Sequence, residues 1–151
     1  MAAADDLDQV IEQYHLALDE IMRGNAEGYK RVYSRREDVT LANPFGPPAR
    51  GWEEVAKTLE RAASHYRDGQ VTGFENVAKY TTDELAYTTD ELAYTVEIER
   101  CQAKVEGRDD LSPITVRVTT IFRSEAGEWK VVHRHADPIT TAQPAESVIQ
   151  E

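Results

Sequence analysis

The chain is short of the residues that staple small folds or draw a protein to nucleic acid. A single cysteine, Cys101, stands among 151 residues, which excludes an intrachain disulfide framework and the multi-cysteine zinc sites. Basic residues are outnumbered, 17 Lys and Arg against 28 Asp and Glu, giving a net charge of −11. No Lys/Arg cluster is longer than the pair Arg35-Arg36, so phosphate backbones and anionic lipid are repelled before contact, and neither nucleic acid nor membrane is an expected partner. Nothing approaches the roughly 18 consecutive apolar residues of a spanning helix, and the N-terminal stretch lacks the apolar centre of a secretory signal. These features lead to the expectation of a cytoplasmic protein made of one domain, residues 1–151, with an ordered core over about 7–137 and a loosely held tail over 138–151.

What is present is a change of period along the chain. Leu7, Val10, Ile11, Tyr14, Leu18, Ile21 and Met22 fall on one helical face, and Gly24 stops it. Asn25 can cap a second helix running to about Ser34, with Tyr29, Val32 and Tyr33 turned inward. Val39 to Ala42 read as a short strand. Asn43-Pro44-Phe45-Gly46-Pro47-Pro48 then forbids both helix and ladder, so an ordered turn is expected. Trp52, Val55, Leu59, Ala62 and Tyr66 restore a helical face ending near Asp68-Gly69. Beyond Gln70 the period falls to 2, with strands over 71–80, 92–104, 114–123 and 129–136. Three helices followed by a mainly antiparallel sheet make the class α+β.

Residues 81–87, Thr-Thr-Asp-Glu-Leu-Ala-Tyr, are repeated without change over 88–94. Two short copies indicate a tandem duplication rather than a solenoid. Seven is odd, so in one continuous strand Leu85 and Leu92 would point to opposite faces. The expectation is that one copy extends or bulges the hairpin and the other keeps the core register. A helical segment with both leucines on one face is the alternative.

Alternation assigns faces to the last strands. Ile114, Val116, Val118, Thr120 and Phe122 share the core side of the third long strand. In the last strand Val131, His133, His135 and Asp137 alternate with Lys130, Val132, Arg134 and Ala136. Placing the charged set outside turns both histidines and Asp137 toward the space under the helices. The same reasoning places Glu97 and Glu99 outward, between Val96 and Ile98.

In element order and in its Asn43-Pro44-Phe45-Gly46 turn and Gly51-Trp52 helix start, the chain resembles the nuclear transport factor 2-like superfamily, in its SnoaL-like and ketosteroid-isomerase-like branch. The resemblance spans about Leu7 to Asp137. It implies a cone-shaped fold, three N-terminal helices packed on a curved sheet, a mostly apolar pocket, and a homodimer paired through the outer sheet face. By resemblance, Tyr14 falls where ketosteroid isomerases hold the tyrosine that donates to a developing oxyanion. Asn43 falls where they keep the proton-shuttling carboxylate, and Thr120 where they hold a second, protonated acid. This chain thus departs from that pattern at two of three positions.

The groups available instead are His133, His135 and Asp137. A histidine near pH 7 suits general base work, with Asp137 orienting it and Tyr14 or Asn43 stabilising oxygen charge. Phe45, Trp52, Tyr66, Tyr94, Val118 and Thr120 are the candidate ligand-contacting residues. His133, His135 and Asp137 are also metal-ligand types, but same-face neighbours on one strand lie roughly 6–7 Å apart, which strains ligation of one ion; no metal and no cofactor is expected. Plainer roles are a strand-end cap for Asp137, core packing for Trp52, a helix-border position for His15, helix-end contacts for His65 and an inert thiol for Cys101. Two functions stay open. One is cofactor-free acid–base conversion of a small, partly apolar metabolite, as in an isomerase, cyclase or hydrolase. The other is a non-catalytic ligand-binding or protein-association module.

Overall fold

A computed structural model describes residues 4–82 and 91–150. Helix α1 (Ala4–Ile21), α2 (Glu27–Val32) and α3 (Trp52–Ser64) lie against a six-stranded sheet. Its strands are β1 (Thr40–Ala42), β2 (Ala49–Arg50), β3 (Tyr66–Thr81), β4 (Leu92–Val105), β5 (Ser112–Glu125) and β6 (Glu128–Asp137). The spatial order is β2-β1-β6-β5-β4-β3. β3 to β6 form an antiparallel meander, and β1 joins β6 in parallel. A short 3-10 turn over Ala145–Val148 lies in an exposed tail.

The helices form where the spacing predicts. α1 buries Leu7, Tyr14, Ala17, Leu18 and Ile21 on one stripe. Gly24, at φ +88°, reverses the chain while its N–H closes onto the Ile21 carbonyl at 2.9 Å, a left-handed conformation that glycine adopts without steric cost. Asn25 Oδ1 accepts the Glu27 N–H at 2.9 Å and so satisfies one free donor at the start of α2. The third helix is shorter than its apolar spacing suggests. It ends at Ser64, and Tyr66 already opens β3. The His65 backbone N–H caps the helix on the Ala62 and Ala63 carbonyls, while its side chain pairs through Nδ1 with Glu106 on the β4–β5 turn.

Two face assignments are corrected. Along β4 the buried positions are Ala93, Thr95, Glu97, Glu99, Cys101 and Ala103, so both glutamates point inward. In β6, Ile121 pairs with His133 but Phe122 pairs with Val131, which leaves Val132 as an extra residue. Such a bulge inverts the alternation beyond it. Trp129 and Val131 face the core before it, Arg134 and Ala136 after it. His133, His135 and Asp137 consequently lie on the outer face, opposite Ile121, Thr119 and Arg117. On β5 the expected inner set holds, with Val118, Thr120 and Phe122 at most 2% exposed.

Of the duplicated segment, Leu92, Ala93 and Tyr94 belong to β4, where Tyr94 pairs with Tyr80 and Ala93 with Thr81. Leu85 and the junction between the copies lie outside the described residues.

Candidate functional site

A cavity of about 60 Å³ lies between the helices and the inner sheet face. α1 contributes Leu18, Ile21 and Met22, α2 contributes Tyr29, α3 contributes Leu59 and Ala62, and the turn after β1 contributes Asn43, Pro44 and Phe45. The sheet side supplies Leu41, Tyr66, Glu99, Cys101, Ile114, Val116, Arg134 and Ala136. Phe45 is 41% exposed and packs on His65 and Tyr66, with ring centroids 4.6 and 6.0 Å away.

Among these mostly apolar walls sits one buried ion pair. Arg134 Nη1 donates to Glu99 Oε2 at 2.8 Å and Nη2 donates to Oε1 at 2.7 Å, a two-pronged contact. Nη1 also donates to the Tyr14 hydroxyl. Having accepted that bond, the Tyr14 hydroxyl has its own proton left for Thr120 Oγ1, 2.6 Å away. The guanidinium lies 5.3 Å from the Tyr29 ring centre and 5.5 Å from that of Tyr14. Burial alone disfavours the Arg134 charge, but the Glu99 carboxylate and the two tyrosines outweigh it and hold its pKa well above the usual value. Burial pushes the Tyr14 hydroxyl up to about 12, against the pull of Arg134, and raises Tyr29 well above its ordinary value. The Cys101 thiol is likewise pushed up to about 12 by burial and is no nucleophile at neutral pH. The Tyr29 hydroxyl is buried and finds no hydrogen-bond partner among the described residues.

The residues singled out from the sequence separate into groups. Asn43, Phe45 and Tyr66 line the cavity. Asn43 Oδ1 is engaged in the turn, accepting the Phe45 N–H at 3.0 Å. Tyr14 and Thr120 lie behind the ion pair, joined to each other. Val118 is buried on the same face but borders no part of this cavity. Trp52 packs against the core rim beneath the Arg35 guanidinium, 4.1 Å from its ring centre. Tyr94 lies on the outer face and stacks on Tyr80 at 5.5 Å.

His133, His135 and Asp137 are away from the cavity. His133 Nδ1 shares a hydrogen bond with Thr40 Oγ1 at 2.7 Å. His135 Nε2 is 3.3 Å from Asp137 Oδ2, and Arg117 Nε donates to Asp137 Oδ1 at 2.7 Å. Partial burial would raise the Asp137 pKa, but Arg117 and the Ile139 N–H hold it below the usual carboxylate range. On the inner face, His15 Nε2 donates to both Glu97 oxygens at 2.9 and 3.1 Å while its ring stacks on Phe74 at 3.7 Å. No group of three or more His, Cys, Asp or Glu suited to a metal ion lies together among the described residues. No helix among them is long and apolar enough to cross a membrane.

Sequence reasoning missed the two charged residues of the cavity, Glu99 and Arg134. The signal for Glu99 was available, because it shares parity with Ala93, Cys101 and Ala103, small residues that suit a surface under helices. Arg134 carried no such signal, since the adjacent Val131 and Val132 make either parity plausible.

An α+β domain with three helices packed on a curved, mainly antiparallel sheet, and a small cavity between them, is the class that this geometry defines. Residues 7–140 match the SnoaL-like domain, and the chain belongs to that family. No curated protein matches the sequence. Among solved structures, a nuclear transport factor 2-like superfamily protein from Salmonella enterica serovar Typhimurium aligns over 94% of each chain, with a TM-score of 0.69 at 14% identity. A ketosteroid isomerase-like protein from Erwinia carotovora aligns over 89% of this chain and 94% of its own, with a TM-score of 0.63 at 15% identity. A candidate calcium/calmodulin dependent protein kinase II association domain from Xanthomonas campestris aligns over 94% and 91%, with a TM-score of 0.64 at 13% identity. At these identities the likeness is one of fold.

Proposed function

We propose that the domain binds a small, partly apolar molecule in the cavity beneath α1 and α3, and that it does so without acid–base chemistry on that molecule. The observation carrying this reading is the composition of the cavity wall. Apolar side chains enclose it, and its polar groups are poor proton carriers at neutral pH. Tyr29 is held protonated, Cys101 is held as the thiol, and both oxygens of Glu99 are taken by Arg134. Of the four histidines, His133 and His135 lie on the outer face, His15 lies against Glu97, and His65, which packs on Phe45 at the cavity edge, is engaged by Glu106.

At about 60 Å³ the cavity is well below the roughly 300 Å³ of a typical ligand site. A ligand of ordinary size therefore requires the cavity to widen. The test is thermal shift with a panel of uncharged organic molecules of six to nine heavy atoms, against the chain and an Ala62→Phe variant that plugs the cavity from α3. A binder at about 100 times its Kd is expected to raise Tm by about 5–10 °C in the native chain and not in the plugged one. A panel without a single shift, or equal shifts in both proteins, would remove the reading.

A specific feature also favours self-association. Tyr80, Tyr94, Val96, Ile98 and Ile121 leave a partly exposed apolar outer sheet face, the kind of patch that pairs with a second copy. Light scattering at micromolar concentration tests it, and a monomer there would end the homodimer proposal.

A further inference from the structure

The cavity contains an arginine that is already satisfied and a tyrosine that is not. A buried guanidinium fork is the usual grip for a carboxylate or phosphate, because its parallel N–H groups match two oxygens. Here both prongs of Arg134 end on Glu99, and Nη1 donates in addition to Tyr14. With Glu99 1% and Arg134 7% exposed, the pair is a neutral unit buried in the wall. An anionic ligand would bring a third charge into this interior without a free counter-charge, and a cationic one would meet a carboxylate whose oxygens are spent. Tyr29, a neighbour in the same wall, keeps a buried hydroxyl with no protein partner among the described residues. Leaving such a donor unpaired away from water is costly, so a molecule that brings an acceptor to it gains affinity.

We propose that Glu99 determines the specificity of the cavity: by filling the Arg134 fork it sets the site for uncharged ligands, whose carbonyl or ether oxygen accepts the hydrogen of the Tyr29 hydroxyl. This inference rests on the reading of the cavity as a ligand site. Burial keeps Tyr29 in its protonated, donating form throughout the working pH range. Tyr14 does not compete for the ligand, because its hydroxyl is committed to Arg134 and Thr120.

The experiment measures the affinities of 2-heptanone, heptanoate and toluene for the full chain and for Tyr29→Phe and Glu99→Ala. The native chain is expected to bind 2-heptanone at least about tenfold more tightly than heptanoate. Tyr29→Phe is expected to weaken 2-heptanone about five- to tenfold and to leave toluene unchanged. Glu99→Ala empties the fork, so the order is expected to reverse, with heptanoate binding more tightly than the ketone and raising the variant's Tm. A folded Glu99→Ala that keeps the native order overturns the role given to Glu99; if that variant does not fold, Glu99→Gln, whose single amide oxygen can fill only one prong of the fork, takes its place, and a native order there overturns it equally. Preference of the native chain for heptanoate, or an unchanged 2-heptanone affinity in Tyr29→Phe, overturns the inference while toluene binding leaves the cavity reading standing. Failure of all three probes to bind the native chain overturns both.

Discussion

Glu99 and Arg134 meet across an intervening strand. Glu99 lies on β4 and Arg134 on β6, and β5 separates them in the sheet. Arg134 is opposite Thr120 and Glu99 opposite Val116, so the guanidinium reaches diagonally over the inner face of β5 to close two hydrogen bonds of 2.7 and 2.8 Å. The contact ties three strands beneath the helices. It depends on the bulge at Val132, without which Arg134 would face outward and Glu99 would be buried alone.

Either half of this pair is expected to be indispensable singly and dispensable jointly. Arg134→Met alone strands a carboxylate and Glu99→Leu alone strands a guanidinium, each costing about 3–5 kcal/mol, whereas replacing both with apolar residues restores most of the loss. Urea unfolding of the two single variants and the double variant checks this through a double-mutant cycle. Single and double variants of additive cost would show the pair to be uncoupled.

Tyr14 is expected to matter for stability and little for ligand affinity. Tyr14→Phe removes a hydroxyl that accepts from Arg134 and donates to Thr120, leaving buried partners unmet at a cost of about 1–3 kcal/mol. The urea midpoint should fall with an unchanged slope, and affinity for a cavity ligand should stay within about twofold. An affinity loss without a stability loss would return Tyr14 to the oxygen-binding role that its position in α1 suggests by resemblance.

Much of the fold is legible because apolar periodicity and turn residues act locally. The stripe from Leu7 to Met22, the Asn43 to Pro48 turn and the alternation of Val118, Thr120 and Phe122 each specify their element without help from elsewhere. The site is less legible because it depends on tertiary compensation. Charged residues belong outside only when unpaired, and Glu99 is buried because Arg134 is. That partner becomes visible only when one extra residue in β6 inverts its parity, a shift that two adjacent valines conceal. Tyr66 illustrates the same limit on a smaller scale. Its spacing continues the face of α3, yet in the fold it opens β3 opposite Val105.

The backbone contact between β3 and β4 yields a paired test. A Cβ at Gly69 would lie 2.4 Å from the Gln102 carbonyl oxygen and 2.8 Å from Ala103 Cα, whereas one at Gly73 would meet nothing within 4 Å. Gly69→Ala must push two strands apart and is expected to cost about 1–3 kcal/mol, while Gly73→Ala should be close to neutral. Thermal melts of both variants give the comparison. Equal Tm values would mean that the strands part freely at Gly69.

Acid should loosen the fold in two separate steps, the first owing to His133. Partial burial, with a smaller contribution from His135, holds the His133 pKa below its ordinary 6.5. The native state therefore resists a proton that the unfolded chain accepts near pH 6.5. The unfolded state then binds more protons, so the neutral ring's contribution is complete above that pH and is lost as pH falls through the native pKa. The carboxylates of Asp19, Asp38 and Asp137 are held below their ordinary 3.8, chiefly by the Val71 N–H for Asp19 and by Arg123 for Asp38, while for Asp137 Arg117 overcomes the opposing effect of burial. Their contribution is present above 3.8 and disappears only as pH falls below it. Melting curves are therefore expected to be flat from about pH 8 to 7, to shift to lower Tm as pH falls below about 6.5, and to drop again below about pH 4. His133→Asn, which can still bond to Thr40, should abolish the first step and leave the second intact. An equal first step in that variant would assign the transition to another group.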